Sequence, residues 1–298
     1  MRGVVVALGN FDGVHRGHQA VLRRAVEEGR RRGLRVVAAT FEPHPRVVLG
    51  AGEAPRLLTT LELRREALLA YGADEVREIP FDEELSRKSP EEFVRDVLAG
   101  EIGAEAVVVG ENFRFGHMAA GGVEDLESAM RSMGGEAYAV PVRSEDGREG
   151  ISSTRIRQLV GAGEVEEAAR LLGRPYVIRG EVVVGDRRGR SIGFPTANVL
   201  PEGAVVVPAR GVYAGFVRVG KEVHAACTNV GVAPTFERDE SRIEAHLLDF
   251  DGDLYGRVVD VGFVRRIRPE RRFSGVEELG AQIARDVEEA RRITHDTF

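Results

Sequence analysis

The feature that most constrains this chain is a change of pattern at Gly173-Arg-Pro175. Before it, apolar, β-branched runs at Val4–Leu8, Leu34–Phe41, Glu75–Ile79, Ala106–Val109 and Ala137–Val142 read as strands. Helical spacing falls between them, around Gln19–Arg31, Thr60–Tyr71, Pro90–Ala99 and Glu124–Met133. Ser89, Pro90 and Glu92 form a capping box with proline at the first helical position. Strands and helices taking turns at these lengths predict right-handed βαβ units, hence a doubly wound, mostly parallel α/β sheet covered on both faces. A helix-rich stretch follows from Ser153 to Leu172, broken at Gly161-Ala-Gly163. Beyond Pro175 the helical period disappears. Runs at Val177–Val184, Val205–Val207, Val212–Val219, Val223–Asn229, Ile243–Phe250 and Val258–Val264, separated by glycine-rich turns, predict an antiparallel barrel or sandwich. An amphipathic helix near Val276–Ile293 closes the chain. Two domains are expected, 1–172 and 173–298, and 298 residues is a natural length for two.

Composition narrows the class. Hydrophobic residues make up 43% and charged residues 30%, the balance of a globular protein in water. The one cysteine, Cys227, excludes an internal disulfide and a cysteine-rich metal site, which points to a reducing compartment and a cytoplasmic location. No apolar run approaches the roughly 20 residues of a membrane span, and the first one, Gly3–Leu8, reads as a strand and not a signal peptide. A net charge of −6 offers no purchase for nucleic acid. No nucleic-acid or membrane partner is expected, and at most a weak or transient homo-oligomer.

In open parallel sheets, ligands gather at the carboxyl ends of the strands. The unusual residues of the first half fall there. Gly9-Asn-Phe-Asp-Gly-Val-His-Arg-Gly-His18 follows the first strand, Thr40-Phe-Glu-Pro-His-Pro45 the second, and Gly110-Glu-Asn-Phe-Arg-Phe-Gly116 the fourth; Gly150-Ile-Ser-Ser-Thr-Arg-Ile-Arg157 comes soon after the fifth. His15 and His18 are three apart and share one face of a helix's opening turn, where free N–H groups and the helix dipole already suit phosphate. Gly13 and Gly17 let the backbone and a nucleotide approach closely. Ser152, Ser153 or Thr154 can cap the next helix, and Arg155 and Arg157 add cations that a leaving pyrophosphate needs. No Gly-x-x-x-x-Gly-Lys-Ser/Thr is present, which disfavours a P-loop kinase.

The second half contains Gly189-Arg-Ser-Ile-Gly-Phe-Pro-Thr-Ala-Asn198. Thr196 and Asn198 point the same way in an extended segment, and two neutral oxygens suit a magnesium ion that takes most of its charge balance from phosphates. A well-ordered hairpin loop with satisfied polar side chains has the same signature. Along Ile243–Phe250, alternation puts Glu244 and His246 on the face opposite Ile243, Ala245 and Leu247.

Taken together these motifs resemble one known family. The His-x-Gly-His turn with a later Ser-Ser-Thr-x-x-Arg is similar to the nucleotidyltransferase superfamily, and the residues around it resemble the bacterial bifunctional riboflavin kinase/FAD synthetases. Gly-x-x-x-Gly-x-Pro-Thr-Ala-Asn resembles the signature of the riboflavin kinase fold, a small Greek-key barrel. Gly211-Val-Tyr-Ala214, Thr228-Asn-Val-Gly-Val-Ala-Pro-Thr-Phe236 and Ile243-Glu-Ala-His-Leu-Leu-Asp-Phe250 agree with it. The resemblance implies an enzyme that phosphorylates riboflavin with ATP to FMN and then transfers AMP from a second ATP to FMN, giving FAD. By residue match, Gly9, Phe11, Asp12, His15, Gly17, His18, Ser153, Thr154 and Arg157 would handle ATP in the first domain, with His15, His18 and Arg157 catalytic. Phe41, Asn112 and Phe113 would line its flavin pocket. In the second domain, Gly189, Gly193 and Thr196 would hold ATP, Thr196 and Asn198 would hold Mg²⁺ or Mn²⁺, and Glu244 would be the base. Asn112 stands where relatives often carry aspartate, and Ala233 where they usually carry a polar or larger residue. Other adenylyl- or cytidylyltransferases lack a reason for the second domain. A flavin-binding carrier lacks one for the phosphate-handling set, and an aminoacyl-tRNA synthetase fragment would want a Lys-Met-Ser-Lys-Ser-like loop.

Overall fold

The computed structural model describes residues 3–50, 55–141, 150–185, 193–232 and 241–295. They fall into two compact units, one of Met1–Pro55 with Leu61–Ser153, the other of Arg56–Thr60 with Thr154–Phe298.

The first unit is a five-stranded parallel sheet in the order β3-β2-β1-β4-β5, formed by β1 (Val4–Leu8), β2 (Arg35–Glu42), β3 (Glu75–Pro80), β4 (Ala104–Gly110) and β5 (Glu136–Val140). Each predicted strand is present within two residues of its expected ends. Alternate residues face opposite sides. Val5 and Ala7 of β1 join Val36, Ala38, Ala106 and Val108 under α1 (Arg16–Arg32) and Leu68 of α3 (Leu61–Ala70). Val6 and Leu8 join Ala39, Val107 and Val109 on the other face, under Phe93, Val94, Val97 and Leu98 and under Leu126 and Met130 of α6 (Val123–Ser132). The capping box forms: Ser89 Oγ accepts from the Glu92 N–H, and the Glu92 carboxylate accepts from the Ser89 N–H. Behind it, α5 (Pro90–Glu92) widens into a π-helix over Phe93–Ile102, ending at Gly103. Two short helices, α2 (Pro45–Val48) and α4 (Glu83–Arg87), lie in loops where no helix is expected from the pattern.

The longer run of the second unit opens at Thr154 within α7 (Ser153–Ala162) and continues into α8 (Val165–Leu172), the broken helical stretch read from the sequence. A closed barrel follows, entirely antiparallel, in the order β10-β7-β6-β11-β8-β9. Its strands are β6 (Tyr176–Val183), β7 (Ala197–Pro201), β8 (Gly211–Val219), β9 (Glu222–Val232), β10 (Ser241–Leu247) and β11 (Val258–Pro269). Closure leaves no edge strand exposed. One expected strand is corrected. Val205–Val207 is not a strand: Val205 makes an isolated bridge with Leu57, whose N–H donates to the Ala204 carbonyl at 2.8 Å and whose carbonyl accepts from the Val206 N–H at 2.9 Å. The barrel instead takes Ala197–Pro201, which the proline and small residues disguise as loop. Strands β8 and β11 approach so closely that a Cβ on Gly215 would run into the Gly262 carbonyl.

The last helix, α9 (Val276–His295), packs on β8, β9 and β11 through Ala290, Ile293 and the buried Cys227, whose thiol is pushed up to about 12 chiefly by burial. A largely buried ion pair clamps it. Asp286, 4% exposed, accepts from Arg268 Nη2 at 2.7 Å and from Arg268 Nε at 3.0 Å. Removing one partner of such a pair strands the other charge, at a typical cost of about 3–5 kcal/mol. Asp286→Ala is therefore expected to destabilise the second unit by about 3 kcal/mol, read from the midpoint of urea unfolding.

Candidate functional site

Because the sheet is parallel, the loops after β1, β2 and β4 leave from one edge, and the strand order reverses between β1 and β4. The turn after β1 is tightly wound. Phe11 (φ 50°) and Val14 (φ 42°) sit in the left-handed region beside Gly13 (φ 82°), and both side chains are buried. A β-branched residue there is a genuine outlier, of the strained kind that clusters at functional sites.

The turn delivers both histidines as expected. His15 is the N-cap of α1, and its Nδ1 accepts from the His18 N–H at 3.3 Å, so its proton is carried on Nε2. The two imidazoles stack at 3.6 Å, and Phe11 meets His18 edge-on at 5.3 Å. Burial, then His15, then Arg64 hold the His18 imidazole well below its usual protonation range. Its Nδ1 is buried and has no partner among the described residues. Gly17 lies in the first turn of α1, and Gly9 and the buried Asp12 flank the turn. Ser153 is brought to the same place: its Oγ donates to the Asp12 carbonyl at 2.9 Å. Thr154 and Arg157 share the opening turn of α7, where Arg157 Nη1 donates to Thr154 Oγ1 at 3.4 Å.

The expected flavin residues sit differently. Phe41 is 8% exposed and packs against Phe81 and Phe93. Phe93 continues to Phe115, on which the half-buried Phe113 stacks at 5.6 Å. Phe41 thus lies in an aromatic row running from Phe81 to Phe113, and Phe113 reaches the surface beside exposed Asn112. Phe81, Phe93 and Phe115 were not singled out in the sequence, since phenylalanine at core spacing carries no signal of its own.

The barrel holds a second polar group. Asn198 on β7, Glu244 on β10 and Asn229 on β9 are direct register partners, a row across three strands. Ile243, Ala245 and Leu247 are buried on the opposite face, the alternation expected for β10. Asn198 is 7% exposed and lies over Gly185, where a Cβ would run into its amide. A residue missed in the sequence joins them: Arg242 Nε lies 2.7 Å from Asn198 Oδ1 and 2.8 Å from Glu244 Oε1. Asn198 and Glu244 thus converge on one guanidinium. Half-buried Thr196 precedes β7, and His246 Nδ1 lies 2.7 Å from the Pro195 carbonyl with Phe194 edge-on at 5.6 Å. Exposed Gly193 (φ 87°) opens this segment. Gly189 and Ala233 lie outside the described residues. Among those described, no group of three His, Cys, Asp or Glu side chains forms a metal cluster.

Comparison with known proteins places both halves of the chain in one family. Residues 1–155 match the FAD synthetase family model, and residues 172–294 match the riboflavin kinase model. The bifunctional riboflavin kinase/FMN adenylyltransferase of Escherichia coli K12 is 40% identical over 95% of this chain and 90% of its own length. Its namesake in Listeria monocytogenes is 38% identical over 96% and 91%. A solved structure described as a macrolide-efflux protein from Streptococcus pneumoniae is 35% identical, with a TM-score of 0.88 over 97% of this chain and 94% of that one. That description speaks of transport, whereas no described helix here is long and apolar enough to cross a membrane. With both family models in order along its length, the chain belongs to the bifunctional riboflavin kinase/FMN adenylyltransferase family.

Proposed function

We propose that the chain makes FAD in two ATP-dependent steps, with the β1–α1 turn and α7 serving AMP transfer and the Asn198–Glu244–Asn229 row serving the kinase. The stacked His15–His18 pair at a helix N-terminus, on the carboxyl edge of a parallel sheet, carries the first assignment. An FMN phosphate oxygen attacks the α-phosphorus of ATP, a new P–O bond forms, and pyrophosphate leaves. FMN phosphate is already a nucleophile, so the protein's part is positioning and charge stabilisation. His15 donates from Nε2. His18, held neutral, offers an N–H that needs no loss of water to act. Thr154 and Arg157 receive the leaving pyrophosphate, and Gly9, Phe11, Asp12, Gly17 and Ser153 shape the nucleotide seat. The flavin lies against Phe113 and Asn112, with Phe41 reached through the aromatic row beneath.

In the barrel, the riboflavin 5′-hydroxyl oxygen attacks the γ-phosphorus of ATP, ADP leaves, and Glu244 takes the hydroxyl proton. Thr196 and Asn198 would hold Mg²⁺, which supplies charge neutralisation of the transferred phosphate. Gly189 and Gly193 bracket the ATP-binding segment. Glu244 must exchange Arg242 for the substrate hydroxyl to act as base. The buried, unoxidised Cys227 and the intracellular co-substrate ATP suit a cytoplasmic setting.

Each reaction is proposed to lie on its own side of Gly173, in domains 1–172 and 173–298. The buried apolar face of α8 (Val165, Ala168, Leu171, Leu172) packs against β6 and β11, and the end of α7 meets Arg266, whose Nη1 donates to the Ala162 carbonyl at 3.5 Å. A fragment starting at Arg174 is expected to phosphorylate riboflavin but to unfold at lower urea than one starting at Thr154. Losing cover of this kind costs at least about 2 kcal/mol. A folded Arg174 fragment without kinase activity would overturn the division.

His18→Ala and Arg157→Ala are each expected to cut FAD formation from supplied FMN by about 100-fold while riboflavin phosphorylation continues. Product masses followed over time measure both, and equal loss of the two activities would point to one shared site. Glu244→Gln should do the converse. Glutamine is nearly isosteric but cannot accept the proton, so phosphorylation should fall by about 10²–10⁴-fold with little change in flavin affinity, and adenylylation should hold. A normal kinase rate in that variant would pass the base role to His246 or Asp249.

A further inference from the structure

Helix α3 carries a charge that neither reaction, as assigned above, uses. Arg64 stands between Leu61 and Leu68 on the inward stripe of the helix, and its side chain is 1% exposed. A guanidinium stays protonated at any physiological pH, and enclosing one is costly unless its donors are met and its charge is countered. Neither condition is fulfilled. Nη1 reaches Thr40 Oγ1 at 3.5 Å and the Glu42 carboxylate at 3.8 Å, both long, and Glu42 is itself 36% exposed. Nε and Nη2 are buried without an acceptor among the described residues. An apolar side chain would fill the same place at less cost to the fold.

What Arg64 does touch is the floor of the histidine turn. Thr40 Oγ1, its partner at the end of β2, donates to the Asn10 carbonyl at 3.0 Å, and Asn10 opens the strained turn that presents His15 and His18. Among the described residues, the charged or titratable groups acting on His18 are His15, from the same turn, and Arg64, from α3.

We propose that Arg64 is a positioning residue for AMP transfer, a fixed buried cation that braces the Thr40–Asn10 junction and supplies positive field beneath the phosphates. The proposal rests on the assignment of that chemistry to the His15–His18 turn. It gives the uncompensated burial a use: the countercharge arrives with the nucleotide, as negative charge builds on the phosphate chain. The residue acts through the turn and through its field, without touching the reacting atoms.

The test uses the full-length protein with FMN, ATP and Mg²⁺. Arg64→Met keeps length and removes charge; Arg64→Lys keeps charge and loses the planar fork. The methionine variant should lower kcat for AMP transfer by about 10²-fold with KM for FMN little changed, and lysine should recover most of the loss. The His18 imidazole supplies a second reading by NMR titration. A positive neighbour disfavours the imidazolium, so its midpoint should move up in the methionine variant and return in the lysine variant. If methionine prevents folding, Arg64→Gln makes the same comparison against lysine. Wild-type kcat in the uncharged variant overturns the proposal. So does a loss that lysine does not recover with an unmoved His18 midpoint, which would leave Arg64 a packing residue only. His18→Ala run alongside separates the two assignments. If it transfers AMP normally, the site itself is wrong; if it fails while Arg64→Met works, only the role of Arg64 falls.

Discussion

The first unit turns on the backbone between β1 and α1, where three residues in four, Phe11, Gly13 and Val14, hold left-handed conformations. Only glycine adopts that region freely, and each of the others carries a cost on the order of 1–3 kcal/mol. The surrounding core imposes it. Phe11 and Val14 are both buried in the cluster that joins the sheet to α1, so relaxing the turn would pull apolar surface into water. In return the chain reverses sharply enough to start a helix with a histidine cap, and the helix period then stacks the second histidine on the first. Two imidazoles in contact cannot both be charged cheaply. The turn that brings them together therefore also helps hold the His18 imidazole well below its usual protonation range, after burial as the larger cause.

The barrel solves a different problem, that of keeping a carboxylate and an amide ready for a cation. Glu244 and Asn198 face each other across β7 and β10 because the antiparallel register puts them there, and Gly185 leaves room for the amide. Arg242, two residues from Glu244 on the same strand, sets its Nε between that carboxylate and the Asn198 amide oxygen. Elsewhere the barrel again sets arginine against a carboxylate. Asp260 is buried, which alone would raise its carboxyl, but bonds from Arg179 and Arg218 outweigh that and hold it below the usual carboxylate range.

Much of this was legible in the residues, and what was not has identifiable causes. Periodicity found β1, β2 and β4 because a strand buried on both faces reads as a continuous apolar run, and it found the partly exposed edge strands β3 and β5 from shorter apolar patterns. It failed at Ala197–Pro201, where a proline and small residues break the apolar run, and at Val205–Val207, where a β-branched run forms an isolated bridge with Leu57 and no barrel pairing. Phe93–Ile102 reads as helix but not as π-helix, since five-residue spacing leaves no mark in hydrophobic pattern. The histidines announced themselves by spacing. Arg64 did not, although a signal existed: it occupies a position that Leu61 and Leu68 mark as inward-facing, where a charge is out of place.

Arg64 and Arg242 share a logic that spacing cannot convey. Each is an arginine whose significance comes from partners distant in sequence, Thr40 and Glu42 for one, Asn198 for the other. A chain with 42 lysines and arginines hides two such residues easily, because charged side chains mostly report a solvated face. Burial separates Arg64 from the rest, and the two acceptors that Arg242 bridges mark it out. A guanidinium at 1% exposure, or one closing the gap between a carboxylate and an amide, has given up water for a purpose that packing alone does not supply.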